Sequence, residues 1–500
     1  MLRRTVGWSV IALGTSLVMQ GFSLASASSQ PRSRPSTIVV SVSEDGHAAD
    51  GHSLEPMISG SGNFVTFTSR AENLVPGDTN GVADIFVRDL LAGTLDLVSR
   101  SSDGSPGNWA SEQPSISNDG RYVVFISKAT NFDPRFVVRH IYLHDRRTRR
   151  TIPISKAADG APANGVSGNP SITGDGNYVV FYSWADNLVP DDTNGQTDTF
   201  VYDVRLDVTE RVSISSSGSQ SDSASHPAWF HGSISGDGRF VAFVSSATNL
   251  VLGDTPGTRD AFLHDRRTGE TFRLSEGPDG VRFAGASRNA VISADGTVAG
   301  IVQEWPAIRS EDAGIGVSNP NADIIVLDLR SGQQEVISSP EPTPGILYKD
   351  MVSLSGDGRY VAYATRATFQ TLIDNKGSEN VYLYDRELGE TTLVNVSNEG
   401  LPAVGGESGL PSLSWDGRRI AFASSSPTLS RDDAKTCIAE LGSTLCHDAF
   451  VRDRGTAVCS SGRREEGSLS RVVGGSRYRA PERLQPALQR LGCATAQAGA

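Results

Sequence analysis

Residues 233–265 read Ser-Ile-Ser-Gly-Asp-Gly-Arg-Phe-Val-Ala-Phe-Val-Ser-Ser-Ala-Thr-Asn-Leu-Val, then a polar loop, then Asp-Ala-Phe-Leu-His-Asp. The tight turn in this stretch recurs as Gly60-Ser61-Gly62, Asp119-Gly120, Asp175-Gly176, Asp237-Gly238, Asp295-Gly296, Asp357-Gly358 and Asp416-Gly417. Its last glycines lie 58, 56, 62, 58, 62 and 59 residues apart. A near-constant period of this size marks a solenoid, a propeller or an array. The contents of each period choose among them.

A short β-type run precedes each turn, as in Pro114-Ser115-Ile116-Ser117. An aromatic and β-branched run follows it, as in Tyr122-Val123-Val124-Phe125. Two such runs around Asp-Gly read as a hairpin, because the turn needs a positive φ that Gly permits. A third run ends in Asp in every copy, at Asp89, Asp145, Asp203, Asp265, Asp328, Asp385 and Asp453. A fourth follows over 94–99, 151–155, 209–213, 271–275, 335–338 and 391–396. No helical pattern occurs within the periods. The fold class is therefore all-β: a seven-bladed β-propeller of four-stranded antiparallel blades.

The motifs Pro-Ser-Ile-Ser-x-Asp-Gly-Arg-Tyr-Val-x-Phe, Ala-x-Asn-Leu-Val-Pro-x-Asp and Phe-Val-x-Asp resemble the exported bacterial TolB-like propeller repeats, in the broad WD-repeat-like class. The resemblance covers roughly residues 37–453 and implies an interaction scaffold. It brings no specific functional residue, since propellers carry unrelated activities. Copy five departs most: Val298-Ala299-Gly300-Ile301 lacks the aromatics and 290–293 lacks the opening proline.

Residues 1–27 read as a signal peptide, with Arg3 and Arg4, an apolar stretch over 6–19 and Ala25-Ser26-Ala27 as cleavage site. An uncleaved anchor is the competing reading. No later stretch could cross a bilayer, so the expected location is the periplasm or the extracellular space. Residues 28–36 form a flexible lead-in, 37–460 the propeller, and 461–500 an irregular tail. Residues 37–43 match a fourth strand with no first three before it, while 411–453 supply three strands without a good fourth. Closure of the last blade by the N-terminal strand over 38–43 is therefore expected, because an open blade leaves an unpaired edge. The competing fourth strand is 455–460.

The formal charge is −12, and −14 once the two arginines of 1–27 are removed. This argues against nucleic acid as a partner, which needs a basic stripe. A self-closed ring is expected to be a monomer. Cys437 and Cys446 flank a loop inserted in the last blade and are read as a disulfide of an exported protein; two free thiols are the alternative. Cys459 and Cys493 stay open.

Strand alternation puts the two short turns of each blade on one face of the disc. The long second-to-third connection and the blade-to-blade link share the other. Long loops on a rigid scaffold are the expected binding surface, for a protein, peptide or envelope polysaccharide partner. Two of these loops, 78–84 and 192–198, both read Asp-x-Asn-Gly-x-x-Asp. Asp78, Asn80 and Asp84, with Asp192, Asn194 and Asp198, are thus candidate metal ligands: oxygen side chains about a Gly bend suit calcium. The competing reading has them hydrogen-bonding their own turn. The seven repeated Asp residues are read as turn braces, since an active site is usually single. No catalytic residue is assigned. The alternative function is a propeller-type hydrolase or lyase with a metal or carboxylate site at the channel mouth. Loop 303–321 of copy five, with Glu304, Trp305 and Glu311, is where that reading looks first.

Overall fold

The computed structural model describes residues 34–227, 233–254, 258–304, 322–337, 351–365, 378–430 and 446–455. Among them every regular element is a β-strand. The strands form seven four-stranded antiparallel sheets, the blades of a ring. Blades 1 to 6 span 53–97, 111–153, 167–211, 225–273, 287–337 and 352–393; blade 7 spans 408–453 and takes its outer strand from the N-terminal segment.

The closing strand is Ser36–Val39, antiparallel to Asp448–Asp453, with Ile38 opposite Val451. It starts and ends earlier than the 38–43 expected. Val40 still donates to the Ala449 carbonyl at 2.8 Å, but Val42 already bridges Ala48. The Arg88 guanidinium of blade 1 binds the carbonyls of Val40 and Val42, so this stretch serves two blades and leaves the ladder.

In six blades an aromatic pair faces across the second and third strands. Phe67 faces Phe86, Phe125 faces Tyr142, Phe181 faces Phe200, Phe243 faces Phe262, Tyr363 faces Tyr382 and Phe422 faces Phe450. Their rings stack at 5.6–6.2 Å. Such pairs add about 0.5–1.5 kcal/mol each beyond burial. Blade 5 substitutes Ile301 opposite Ile325, which explains its missing aromatics.

The turn glycine joins neighbouring blades. Gly120 has φ 70°, and a Cβ there would stand 2.5 Å from the Phe64 ring of the preceding blade. Both facts demand glycine. The Asp ending each third strand accepts backbone N–H groups two or three residues on, in all seven blades: Asp89 from Leu91, Asp145 from Arg147, Asp203 from Arg205, Asp265 from Arg267, Asp328 from Arg330, Asp385 from Glu387 and Asp453 from Gly455. These are turn braces, as their repetition implied. In blades 2, 4, 6 and 7 the Arg after the Asp-Gly turn adds a two-pronged ion pair to that Asp, Arg121 to Asp145 among them.

First strands extend further than their apolar runs foretold, to Ser53–Ile58, Ser111–Ile116, Ser167–Ile172 and Ser408–Leu413. A register break hides the extra residues from a period-2 reading. At the break Glu55, Gln113, Asn169 and Leu410 take φ of 53°, 54°, 48° and 57°. Each precedes a proline, which disfavours the helical region at that position and offers no N–H of its own. Most fourth strands are shorter than expected, for example Leu95–Leu97 against 94–99.

Candidate functional site

The first strands line the central channel, and its two ends differ. At the short-turn end the residue before each turn Asp or Ser is Gly60, Asn118, Gly174, Gly236, Ala294, Gly356 or Trp415. Their backbones link blade to blade: Trp415 N–H to Gly60 C=O at 2.9 Å, Gly356 N–H to Trp415 C=O at 2.8 Å, Gly236 N–H to Ala294 C=O at 2.7 Å. Six small or short residues leave room for one indole. A Cβ on Gly60 would lie 2.7 Å from the Trp415 ring, and one on Gly356 would lie 2.9 Å from the Trp415 side chain. Trp415 thus caps this end. The space beneath is about 100 Å³ and is lined by Ile58, Ile172, Ile292 and serine hydroxyls, with no ionisable side chain. Ser115 and Ser412 use their hydroxyls to accept N–H groups of the next blade, from Ile172 at 3.2 Å and Ile58 at 3.1 Å.

At the long-loop end the sevenfold pattern breaks. The bulges of blades 1 to 3 turn Glu55, Gln113 and Asn169 into a chain. Gln113 N–H donates to Glu55 Oε2 at 2.7 Å, and Asn169 N–H donates to Gln113 Oε1 at 3.0 Å. Bulges commonly re-aim side chains beside functional sites, and positive φ at non-glycine residues concentrates there. Thr68 also donates to Glu55 at 2.8 Å. Burial pushes the Glu55 carboxyl up, helped by the Glu112 charge; the Gln113 and Thr68 donors and Arg139 pull the other way.

Around this chain lie Glu112 and Arg139, paired at 3.2 Å and about one-third exposed, at 35% and 38%. The Tyr182 ring covers Gly168, where a Cβ would stand 2.5 Å from the phenol oxygen. Tyr182 meets His226 edge to face at 5.3 Å. Burial raises the Tyr182 phenol and, with Arg259, lowers the His226 imidazole. Trp109 and Trp184, each 58% exposed, stand on the loops of the same blades. None of these residues was assigned a role from the sequence. The signal available was the break in the repeat: Glu55, Gln113 and Asn169 occupy one aligned position before proline.

The candidate metal ligands fall into two loops. In blade 1 the Asn80 amide donates to Asp84 Oδ2 at 2.6 Å and to the Gly107 carbonyl at 2.9 Å. In blade 3 Asn194 donates to Asp198 Oδ2 at 2.8 Å and to Ser221 at 2.9 Å. Both Asn side chains therefore point nitrogen at the Asp and brace the turn. Gly81 and Gly195 make the bend, with φ 68° and 62°. The Arg211 guanidinium lies 3.0 Å from Asp192 and 3.6 Å from Asp198, where a cation shared by those two would lie. Burial pushes Asp78 up to about 6 and Asp84 up to about 7. Burial and the Asp198 charge push Asp192 up to about 6 despite Arg211. Among the described residues no three His, Cys, Asp or Glu gather around one point.

In loop 303–321, Gln303 is committed to Ser287 at 2.8 Å and Glu304 to Arg288; Trp305 and Glu311 lie outside the described residues. Cys446 is buried, and its expected partner Cys437 lies outside the described residues.

No protein-family model matches the chain, and no curated protein matches it in sequence. Solved structures do match. TolB from Acinetobacter baumannii is 18% identical, over 73% of this chain and 68% of that one, with a TM-score of 0.39. An oligogalacturonate lyase in complex with manganese is 12% identical, over 84% and 97%, with a TM-score of 0.49. An acylaminoacyl peptidase from Pyrococcus horikoshii is 14% identical, over 81% of this chain and 52% of its own, with a TM-score of 0.45. At such identities these likenesses concern the fold alone.

Proposed function

We propose that this chain is an exported, monomeric ring scaffold that binds an extended polar partner across the long-loop mouth of blades 1 to 3. The partner class is a protein, a peptide or an envelope polysaccharide. One observation carries the reading: the polar chain Glu55–Gln113–Asn169, ringed by Glu112, Arg139 and Tyr182, breaks the repeat at the long-loop end of the channel. The opposite end is sealed by Trp415 and offers backbone and small side chains. Planar hydrogen-bonding groups flanked by exposed indoles suit sugar rings and peptide groups alike. The charge of −12 disfavours nucleic acid. Export rests on residues 1–27, which lie outside the described residues.

The test is binding of the mature chain to glycan and peptide arrays, followed by titration of the best ligand. Glu112→Ala with Arg139→Ala is expected to weaken that ligand about tenfold, which is ~1.4 kcal/mol. Unchanged affinity sinks the placement.

Glu55 supports a second reading. A buried carboxyl with a raised proton affinity beside a more exposed Glu112 is the arrangement of a general acid and its partner. Under it Glu55→Gln abolishes turnover of a bound polysaccharide while binding survives; under the scaffold reading no turnover exists to lose.

A further inference from the structure

Blades 1, 3 and 4 carry an acidic residue at the same place in the long loop: Asp78, Asp192 and Asp254. Each loop ends on a second, buried Asp at the start of the third strand: Asp84, Asp198 and Asp260. Two of the three are supplied with positive charge by the fourth strand. Arg211 faces Phe200 and reaches Asp192 at 3.0 Å. Arg273 faces Phe262 and reaches Asp254 at 3.9 Å, while Arg282 pairs with Asp260 at 2.7 Å. In blade 1 the residue facing Phe86 is Leu97.

The Asn and fourth-strand Ser contacts of the blade 1 loop repeat those of blade 3, while Ser221, which also donates to Asp198 at 3.1 Å, is Gly107 in blade 1. Ser99 donates to Asp84 Oδ1 at 2.5 Å as Ser213 does to Asp198 Oδ1, and the Asn contacts match. Yet Asp78 is 5% exposed, Asp84 0%, and among the described residues neither forms an ion pair. Asp78 Oδ1 is buried with no hydrogen-bond partner among the described residues. Arg100 acts on Asp78 through space, but its guanidinium is held by the carbonyls of Leu97 at 3.1 Å and Gly104 at 2.8 Å. An uncompensated buried carboxylate pair is costly.

We propose that loop 78–84 binds one calcium-class divalent cation through Asp78 and Asp84, in the place an arginine guanidinium takes in blade 3. The free Oδ1 of Asp78 is the first ligand. Two carboxylates with carbonyl and water oxygens make a hard, irregular shell, which calcium tolerates better than magnesium and which zinc does not favour. Blade 3 binds none, because Arg211 fills the place. This site is separate from the proposed ligand mouth and stands or falls without it.

The test is calorimetric titration of chelator-treated mature protein with calcium chloride, paired with thermal melting. One calcium per chain is expected, with a melting temperature several degrees higher than in chelator. Leu97→Arg is expected to reduce the stoichiometry to zero and to melt high without calcium. Asp78→Asn also abolishes binding, while Asp192→Asn leaves one site. Absence of calcium binding to the wild type overturns the proposal, as does a site that survives Leu97→Arg or vanishes in Asp192→Asn. Should Asp78→Asn fail to fold, the wild-type stoichiometry and Leu97→Arg decide.

Discussion

Loops 78–84 and 192–198 share Asp-Thr-Asn-Gly and a closing Asp, and in both the Asn amide and a fourth-strand Ser donate to that closing Asp. They differ in charge balance. In blade 3 a fourth-strand arginine lies against both carboxylates; in blade 1 a leucine, which carries no charge, takes the same register. A loop motif therefore does not say whether its charges are compensated. That is decided by a residue more than ten positions later in the chain, brought back by strand pairing.

The largest expected effect comes from making the two loops alike in the wrong direction. Arg211→Leu leaves Asp192 and Asp198 buried without their cation and is expected to destabilise the chain by roughly 3–5 kcal/mol in calcium-free denaturant titrations. If calcium then restores much of the loss, charge balance at that register is what separates the two loops. If Arg211→Leu is harmless, charge balance is not what separates them.

The comparison must be run away from acid, because other buried groups titrate there. His144 and His264 lie in the third strands of blades 2 and 4 and contact Thr151 and Thr271 through Nδ1, at 2.8 and 2.9 Å. Burial pushes both down to about 4; Asp96 and Asp145 oppose this at His144, with Arg146 and Arg100 assisting, and at His264 Asp265 opposes while Arg266 assists. The unfolded chain then binds more protons than the folded one between about 4 and 6.5. Stability is present above about 6.5 and falls as pH drops toward 4, by up to roughly 3 kcal/mol per histidine. Melting wild type and His144→Gln from pH 8 to pH 4 checks this: the variant should show the shallower fall, and parallel profiles would remove His144 as a cause.

The smallest effect should be the same in both loops. Asn80→Ala and Asn194→Ala each remove one donor to a carboxylate and one to a carbonyl. Each is expected to cost about 1–3 kcal/mol by denaturant titration in calcium-free buffer. A difference between them larger than about 1 kcal/mol would show that the loops diverge in more than charge.

Much of the fold was open to reading because its signals are short. Asp237-Gly238 followed by Phe240-Val241-Ala242-Phe243 holds a turn and a strand within seven residues, and both are there. The strand that closes blade 7 was also foretold, two to four residues from where it lies. The first-strand bulges were hidden, since a positive φ at Glu55 breaks the alternation on which the reading depends. The channel cap was hidden too: Trp415 occupies a position filled elsewhere by small or short residues, and only a ring puts it over the glycines of other blades.

The sequence by itself determined a sevenfold all-β repeat, its Asp-Gly turns, its turn-bracing aspartates and the strand that completes the last blade. These depend on turn chemistry and side-chain alternation, which act over a few residues, and on a period long enough to count. Tertiary structure alone decided that Glu55 meets Gln113 across 58 residues, that Trp415 covers one mouth, and that Leu97 stands where Arg211 does. Each is a contact between blades or between paired strands. Such contacts exist only once the ring has brought distant, individually unremarked positions to the same place.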